Sequence, residues 1–372
     1  MDVILPVIVV ILGIWLGSIV YRLTLDQLFS RKSTLPETEL PEEQKKRYAC
    51  YQFANKLQLT QNKWHNSAIR SKTVYELVGV SICAAGPALV LLSAGLPFLE
   101  QAGLASATGR RVAELVVCIG VLVTLVLFRN PNRDHVLYRL RAELLRSHLH
   151  CLLAKVGPYS HDESAASQIL DEVQQLSQED VELHLRELEG QCARQSFGAE
   201  PLSTTTFESQ HATAYLVERV GEQAGNENQL GYFERVNRRF SKAFRWSARL
   251  VVGAIVLAFF IGILRLCSPY FVDIDINIAD FGYAFFGAMA VFLVSARAVM
   301  GWDSKAGLYN RQAAMLGELV ASLSTYSKKI AEGDPVGEQM FRQHAARFES
   351  LMAREALDWK LIADRENFDV TP

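Results

Sequence analysis

Hydrophobic positions along this chain follow two patterns. In the first, apolar residues run on almost without interruption: Val3 to Val20, Leu77 to Pro97, Val112 to Phe128, Leu250 to Leu266 and Phe281 to Val299. Each block approaches the ~20 apolar residues a helix needs to cross the ~30 Å hydrocarbon core of a bilayer. Their order is one helix followed by two hairpins. In the second pattern, apolar residues recur every three or four positions among charges, which marks helices with one buried face. Gln312, Leu316, Leu319, Leu323, Tyr326 and Ile330 form such a seam. The chain turns at Gly333-Asp334-Pro335, and Val336, Met340, His344, Phe348, Leu351 and Trp359 give the returning helix its apolar side. Neither pattern contains a strand-like alternation. The expected fold is all-α: a polytopic membrane protein with an N-terminal anchor helix, two transmembrane helical hairpins and cytoplasmic helical hairpins.

Start and stop signals divide the polar stretches. A helix is expected over Glu42–Thr73, opening after Pro41 with the acidic pair Glu42 and Glu43. A second, His135–Lys155, stops at Gly157-Pro158. A third, Glu163–Glu189, carries Ile169, Val173 and Leu176 on one stripe and stops at Gly190. Gln191–Thr204 reads as loop, and Thr205 with Glu208 as a capping box. The two hairpins recur about 170 residues apart in the same orientation, which gives a parallel architectural repeat. The expected organisation is therefore an anchor and linker over 1–41, a first two-transmembrane unit over 42–190, a connecting segment over 191–228, and a second unit with a C-terminal helical hairpin over 229–372.

Charge orients this arrangement. Ten Lys and Arg residues separate the first two blocks, from Arg22 to Lys72; Arg129 to Arg146 follow the third, and Arg235 to Arg245 precede the fourth. The connection Ser268–Asp280 has no basic residue and carries Asp273, Asp275 and Asp280. The positive-inside bias places the N-terminus and both hairpin loops outside, and everything else in the cytoplasm of a bacterial inner membrane. Arg110 and Arg111, in the first outer loop, are outvoted by both flanks. Block one has no basic n-region and no A-x-A site, so it is expected to stay as an anchor.

Composition sharpens the picture. Of 372 residues, 50% are hydrophobic and only 21% charged, below the quarter usual in soluble domains, which excludes both a disordered chain and a soluble enzyme with one large core. The net charge of −2 conceals basic membrane-proximal collars and an acidic middle. Between Ser160 and Leu230 stand 14 acidic residues against three basic ones, a surface that repels nucleic acid. Cys50, Cys151 and Cys192 fall on the cytoplasmic side, and Cys267 is alone outside.

Candidate chemistry is sparse. No nucleotide, zinc or hydrolase fingerprint is present, so no catalytic residue, cofactor or metal is assigned and no enzyme is expected. His148, His150 and Cys151 are close in sequence, but positions 148 and 150 point to different sides of a helix. Small residues spaced by four, Ala254, Ala258 and Gly262 in block four with Ala284 and Ala288 in block five, predict close helix packing, within the hairpin or in a homo-oligomer. Polar groups compatible with a pore are Ser81, Ser93, Thr124 and Ser295.

The stretch Arg141–Tyr159, RAELLRSHLHCLLAKVGPY, carries a family resemblance. A helix after a membrane hairpin that ends in Gly157-Pro158-Tyr159 and precedes an acidic helix resembles the SLATT family. These are bacterial two-transmembrane effector domains associated with SMODS nucleotidyltransferases and SLOG sensors. Glu42–Glu189 looks like one such unit, and Phe348–Asp369, with Glu355 and Trp359, is similar to the end of tandem versions. The resemblance implies an oligomeric, channel-forming or membrane-perturbing effector in conflict or antiphage defence, silent until a cytoplasmic partner signals. This chain departs from the pattern in its extra anchor, its second hairpin and its lack of a fused sensor. A membrane scaffold or receptor that docks a cytoplasmic protein partner fits the same apolar blocks.

Overall fold

The computed structural model describes residues 35–72, 131–160, 162–200, 202, 207–220, 229–271 and 276–365. Every regular element among them is helical. In chain order they are α1 (Glu42–Arg47), α2 (54–72), α3 (Pro131–Ala154), a 3-10 turn (Gly157–Tyr159), α4 (Ser164–Glu172), α5 (Gln178–Ser196) and α6 (Ser209–Tyr215). A π-helical turn (Leu216–Val220) continues α6, and then come α7 (Gln229–Phe271), α8 (Ile276–Met300), α9 (Trp302–Ala331) and α10 (Pro335–Arg365). The first three apolar blocks, Ser81, Ser93, Thr124 and Thr205 lie outside the described residues.

These residues form two compact units. A helical body combines 35–71, 132–240 and 303–365, and an apolar hairpin is made of 241–271 and 276–302. In the body α3 is the central rod. Leu140, Leu144, Leu145, Leu149 and Leu152 are all at most 1% exposed, and each such burial contributes about 1.5–3 kcal/mol. α10 packs along α5, and the Lys360 ammonium joins them by pairing with Glu182 at 2.9 Å.

Several boundaries differ from the sequence expectation. The helix expected over Glu42–Thr73 is broken between α1 and α2, because Tyr48 and Tyr51 turn inward and the Tyr51 hydroxyl donates to the Leu153 carbonyl at 3.0 Å. The helix expected over Glu163–Glu189 is two helices. Ser177 starts α5 with a reciprocal cap, its hydroxyl accepting from the Asp180 amide and the Asp180 carboxylate accepting from the Ser177 amide. Gly190 does not end that helix, and the loop expected from Gln191 begins only after Ser196. Val181, Leu185, Leu188, Cys192 and Gln195 form a continuous buried stripe, and Gly190 lies off it. Glu208 is an N-cap rather than the third residue of a box: α6 starts one residue later, and the Glu208 amide donates to His211 Nδ1 at 2.9 Å. On α9, Gln312, Leu316, Leu319 and Leu323 are buried. On α10, Phe348 and Trp359 are buried too, but Val336 is 60% exposed and Phe341, Ala345, Met352 and Ala356 take the inner positions.

Among the described residues, Phe233–Leu264 in α7 and Asp280–Ala331, running from α8 into α9, are helical, long and apolar enough to cross a membrane. Gly301, with φ +56, separates α8 from α9.

Candidate functional site

Because α3 is buried on nearly all sides yet carries Arg139, Arg141, Glu143, Arg146, His148 and His150, the helices around it must supply partners for those groups. Some partners are local, as Glu143 is for Arg146 at 3.0 Å, and others come from distant parts of the chain, beside a further buried pair that the surrounding helices supply to one another. In the π turn, Arg219 makes a two-pronged pair with Glu349 of α10, Nε to Oε1 at 2.9 Å and Nη2 to Oε2 at 2.8 Å. The Tyr215 hydroxyl donates to the same Oε1 at 2.8 Å. Both side chains of the ion pair are buried, at 2% and 0% exposure. Burial pushes the Glu349 carboxyl up while these three donors pull it back, and the facing carboxylate keeps Arg219 charged against its own desolvation. One residue earlier, Glu218 accepts from Arg47 at 2.5 Å and from Gln44 at 2.8 Å, both on α1. The π turn therefore points successive side chains at α1 and α10, a placement that a widened helical turn permits.

A second cluster involves two residues of the family-like pattern. Glu355 is 3.7 Å from Arg139, whose guanidinium lies 3.9 Å above the Trp359 ring. Burial raises the Glu355 carboxyl to about 7, with Glu143 adding to the effect and Arg139 opposing it.

The other three pattern residues occupy the opposite end of α3. Its last turn closes with the Val156 amide on the Cys151 carbonyl at 3.0 Å and the Lys155 amide on the Leu152 carbonyl at 3.2 Å, a Schellman arrangement. Lys155 takes the left-handed position at φ +51, and its carbonyl accepts from Arg342 at 2.8 Å. Gly157 follows at φ +61. Gln195 of α5 clasps it from both sides: its Oε1 accepts from the Gly157 amide at 2.6 Å and its Nε2 donates to the Gly157 carbonyl at 3.2 Å. Tyr159 is buried with its hydroxyl 2.7 Å from His148 Nδ1. Two cavities flank this turn. One of about 170 Å³ is lined by residues including His148, Pro158, Glu172 and His184; the other, of about 290 Å³, by residues including Gly157, Gln191 and Gln195.

Glu355 and Trp359 thus meet α3 near Arg139, whereas Gly157, Pro158 and Tyr159 sit roughly five helical turns further along. The structure does not bring the two groups into one site. His148 and His150 are used separately, His150 Nδ1 facing the Arg146 carbonyl at 2.7 Å. Burial holds the His148 ring well below its usual range, at about 3, with His184 adding to the effect.

In the hairpin, Ala254 and Ala258 pack with Phe286 and Ala290. Ala288 is buried, Ala284 half-buried, and Gly262 faces the Tyr283 ring. Gly282 opposes Ile261, whose Cδ1 would lie 3.2 Å from an added Cβ. Ser295 is half-buried in α8. Sequence reasoning missed Arg219, Glu349, Gln195 and Gly282. The signal available for two of them was a charge at an apolar-face position: Arg219 follows Ala212, Tyr215 and Leu216, and Glu349 lies between Ala345 and Met352.

No family model, curated protein or solved structure matches the chain.

Proposed function

We propose that the chain is a non-enzymatic, oligomeric membrane effector of the SLATT-like kind. Its apolar hairpins would span a bacterial inner membrane with both hairpin loops outside. Its helical body would lie in the cytoplasm, assemble the oligomer and receive a signal from a partner protein. The activity is formation of a channel or perturbation of the membrane, in the setting of conflict or antiphage defence. One observation carries the membrane part of this reading: the hairpin turns its large side chains outward. Val252, Ile255, Val256, Phe259, Phe260, Val291 and Val294 are each more than half exposed, while Ala254, Ala258 and Ala290 pack around Phe286 between the helices. In water such a surface would aggregate; in hydrocarbon it carries no such penalty. The effector part rests on the resemblance at Arg141–Tyr159 and on the absence of any catalytic fingerprint in the sequence.

The experiment is expression of the full chain with its genomic neighbours while membrane potential and dye uptake are followed. Depolarisation on triggering is expected. Membranes that stay intact under every trigger, with a cytoplasmic protein held stably by the body, would replace the effector reading with the scaffold. Orientation is tested with a membrane-impermeant thiol reagent, which is expected to label Cys267 in intact cells and to leave Cys50 unlabelled.

A further inference from the structure

The turn at Gly157 closes over two thiols that the function above does not use. Cys151, in the last turn of α3, and Cys192, in α5, are 41 positions apart in the chain, both wholly buried, with their sulfurs 3.6 Å apart. Neither is held in a disulfide. We propose that Cys151 and Cys192 are a redox-active pair that a peroxide converts to a disulfide inside the folded body.

The closeness of the pair is built rather than incidental. Gly157 rests on both sulfurs: a Cβ at that position would lie 3.1 Å from Cys192 Sγ and 3.6 Å from Cys151 Sγ. Any larger residue there would push into the pair, and φ +61 independently selects glycine. Gln195, one turn beyond Cys192, grips Gly157 by its amide and its carbonyl. Tyr159 bonds to His148, one turn before Cys151. Each cysteine helix is therefore tied to the same three-residue turn, and the sulfurs are left in contact beneath it. A disulfide requires ~2.05 Å, so the two helices have only ~1.5 Å of approach to share.

Access requires local opening of the body, because both cysteines are wholly buried and line neither cavity beside the turn. Gly157 and Gln195, which hold the turn over the sulfurs, line one of these cavities, and Leu188 lines the other. A peroxide molecule fits either volume. Burial pushes the Cys151 thiol well above its usual range, so it stays protonated and its reaction with peroxide is slow. The chemistry balances as two thiols and one hydrogen peroxide giving one disulfide and two waters. One sulfur, giving up its proton, attacks the O–O bond, which breaks to leave a sulfenic acid and release a first water. The second sulfur then displaces the sulfenic hydroxyl, which leaves with the remaining thiol proton as the second water. A thiol reductant reverses the change.

The test uses the full chain in its membrane, in a Cys50→Ser background that removes the exposed thiol. After hydrogen peroxide, free thiols are alkylated in denaturant and the peptides weighed. Expected is a peptide pair joined through Cys151 and Cys192 that lacks two hydrogens, returns to thiols with dithiothreitol, and is lost in Cys151→Ser and in Cys192→Ser. Gly157→Ala, checked by circular dichroism for retained helix, is expected to reduce the joined pair. Recovery of both cysteines as free or separately over-oxidised thiols, at a peroxide dose that oxidises Cys50 in the parent chain, would overturn the proposal. So would indiscriminate pairing with the other cysteines. The result in the Cys50→Ser chain decides even if Gly157→Ala unfolds.

Discussion

The hairpin and the body solve the burial problem in opposite ways. In the hairpin small side chains hold much of the seam and many large ones face outward: Ala254, Ala258 and Ala290 pack around Phe286 while Phe259 is 68% exposed. In the body large side chains are inside and, more unusually, charges are there with them, with Arg342, Glu349 and Arg219 at 3% exposure or less. If the hairpin meets lipid as proposed, it gains little by hiding large apolar side chains, so close backbone approach weighs most in its interior. A body that meets water gains most from hiding leucine, and each charge drawn in with the core must find a partner. The difference teaches where specificity resides. In the hairpin it is steric, set by the small residues that let the helices approach and by Phe286 packed among them. In the body it is electrostatic, set by which buried charge meets which, as Arg219 meets Glu349 across 130 positions of sequence.

The largest effect expected from breaking this contrast lies at that ion pair. Arg219→Met strands Glu349 in the core and should destabilise the body by about 3–5 kcal/mol, whereas the double change to Arg219→Met and Glu349→Met should recover most of the loss. Denaturant unfolding of the detergent-purified chain, followed by circular dichroism, measures both. A single change no worse than the double one would show that the pair is not buried as described.

Next comes the hairpin. Ala258→Leu puts a large side chain into the seam and should cost about 1–3 kcal/mol of helix association. Phe259→Leu on the outward side should be within about 0.5 kcal/mol of neutral. Thermal unfolding in lipid nanodiscs compares them, and equal effects would mean that the two faces are not distinct.

The pH response follows in size. His148 titrates near 3 in the fold against 6.5 when unfolded, so the native state binds fewer protons across that range and stability falls as pH drops below 6.5, by at most about 1.4 kcal/mol per pH unit. Glu355 acts with the opposite sign. Its carboxyl, raised from 4.5 to about 7, makes the native state bind more protons, so its contribution to stability grows as pH falls from 7 to 4.5. His148→Gln should flatten the acid-side loss of stability and Glu355→Gln should steepen it, measured as melting temperature against pH. The smallest effect is at Lys155, where the left-handed backbone suits glycine, and Lys155→Gly should gain up to about 1 kcal/mol in the same assay.

Much of this was legible in the chain. The all-helical class, the two apolar helices of the second hairpin and the α9 seam from Gln312 to Leu323 all follow from spacing, because burial of one helix face imposes a period that survives in the sequence. The breaks inside the expected helices were harder. The break after Arg47 depends on Tyr48 and Tyr51 finding inward positions, and Tyr51 bonds to a carbonyl more than 100 positions away. Continuation through Gly190 depends on Leu188, Cys192 and Gln195 being wanted on one side. The charge pairs were least visible. A charge on an apolar face can be seen, but its partner cannot, since Arg219 and Glu349 are joined only by the tertiary fold. The Gly157-Pro158-Tyr159 turn was visible as a stop; that it covers two cysteines and is held by Gln195 was not.

The central claim is that the α7–α8 hairpin faces lipid with its large side chains and packs through its small ones. Spin labels placed singly at positions 252, 254, 255, 256, 258, 259 and 263 of the full chain in liposomes, read for collision with oxygen and with a water-soluble nickel chelate, test it most directly. High oxygen and low nickel accessibility at 252, 255, 256, 259 and 263, with both reagents excluded at 254 and 258, is the result predicted. Nickel accessibility at the outward positions would place the hairpin in water and contradict the account.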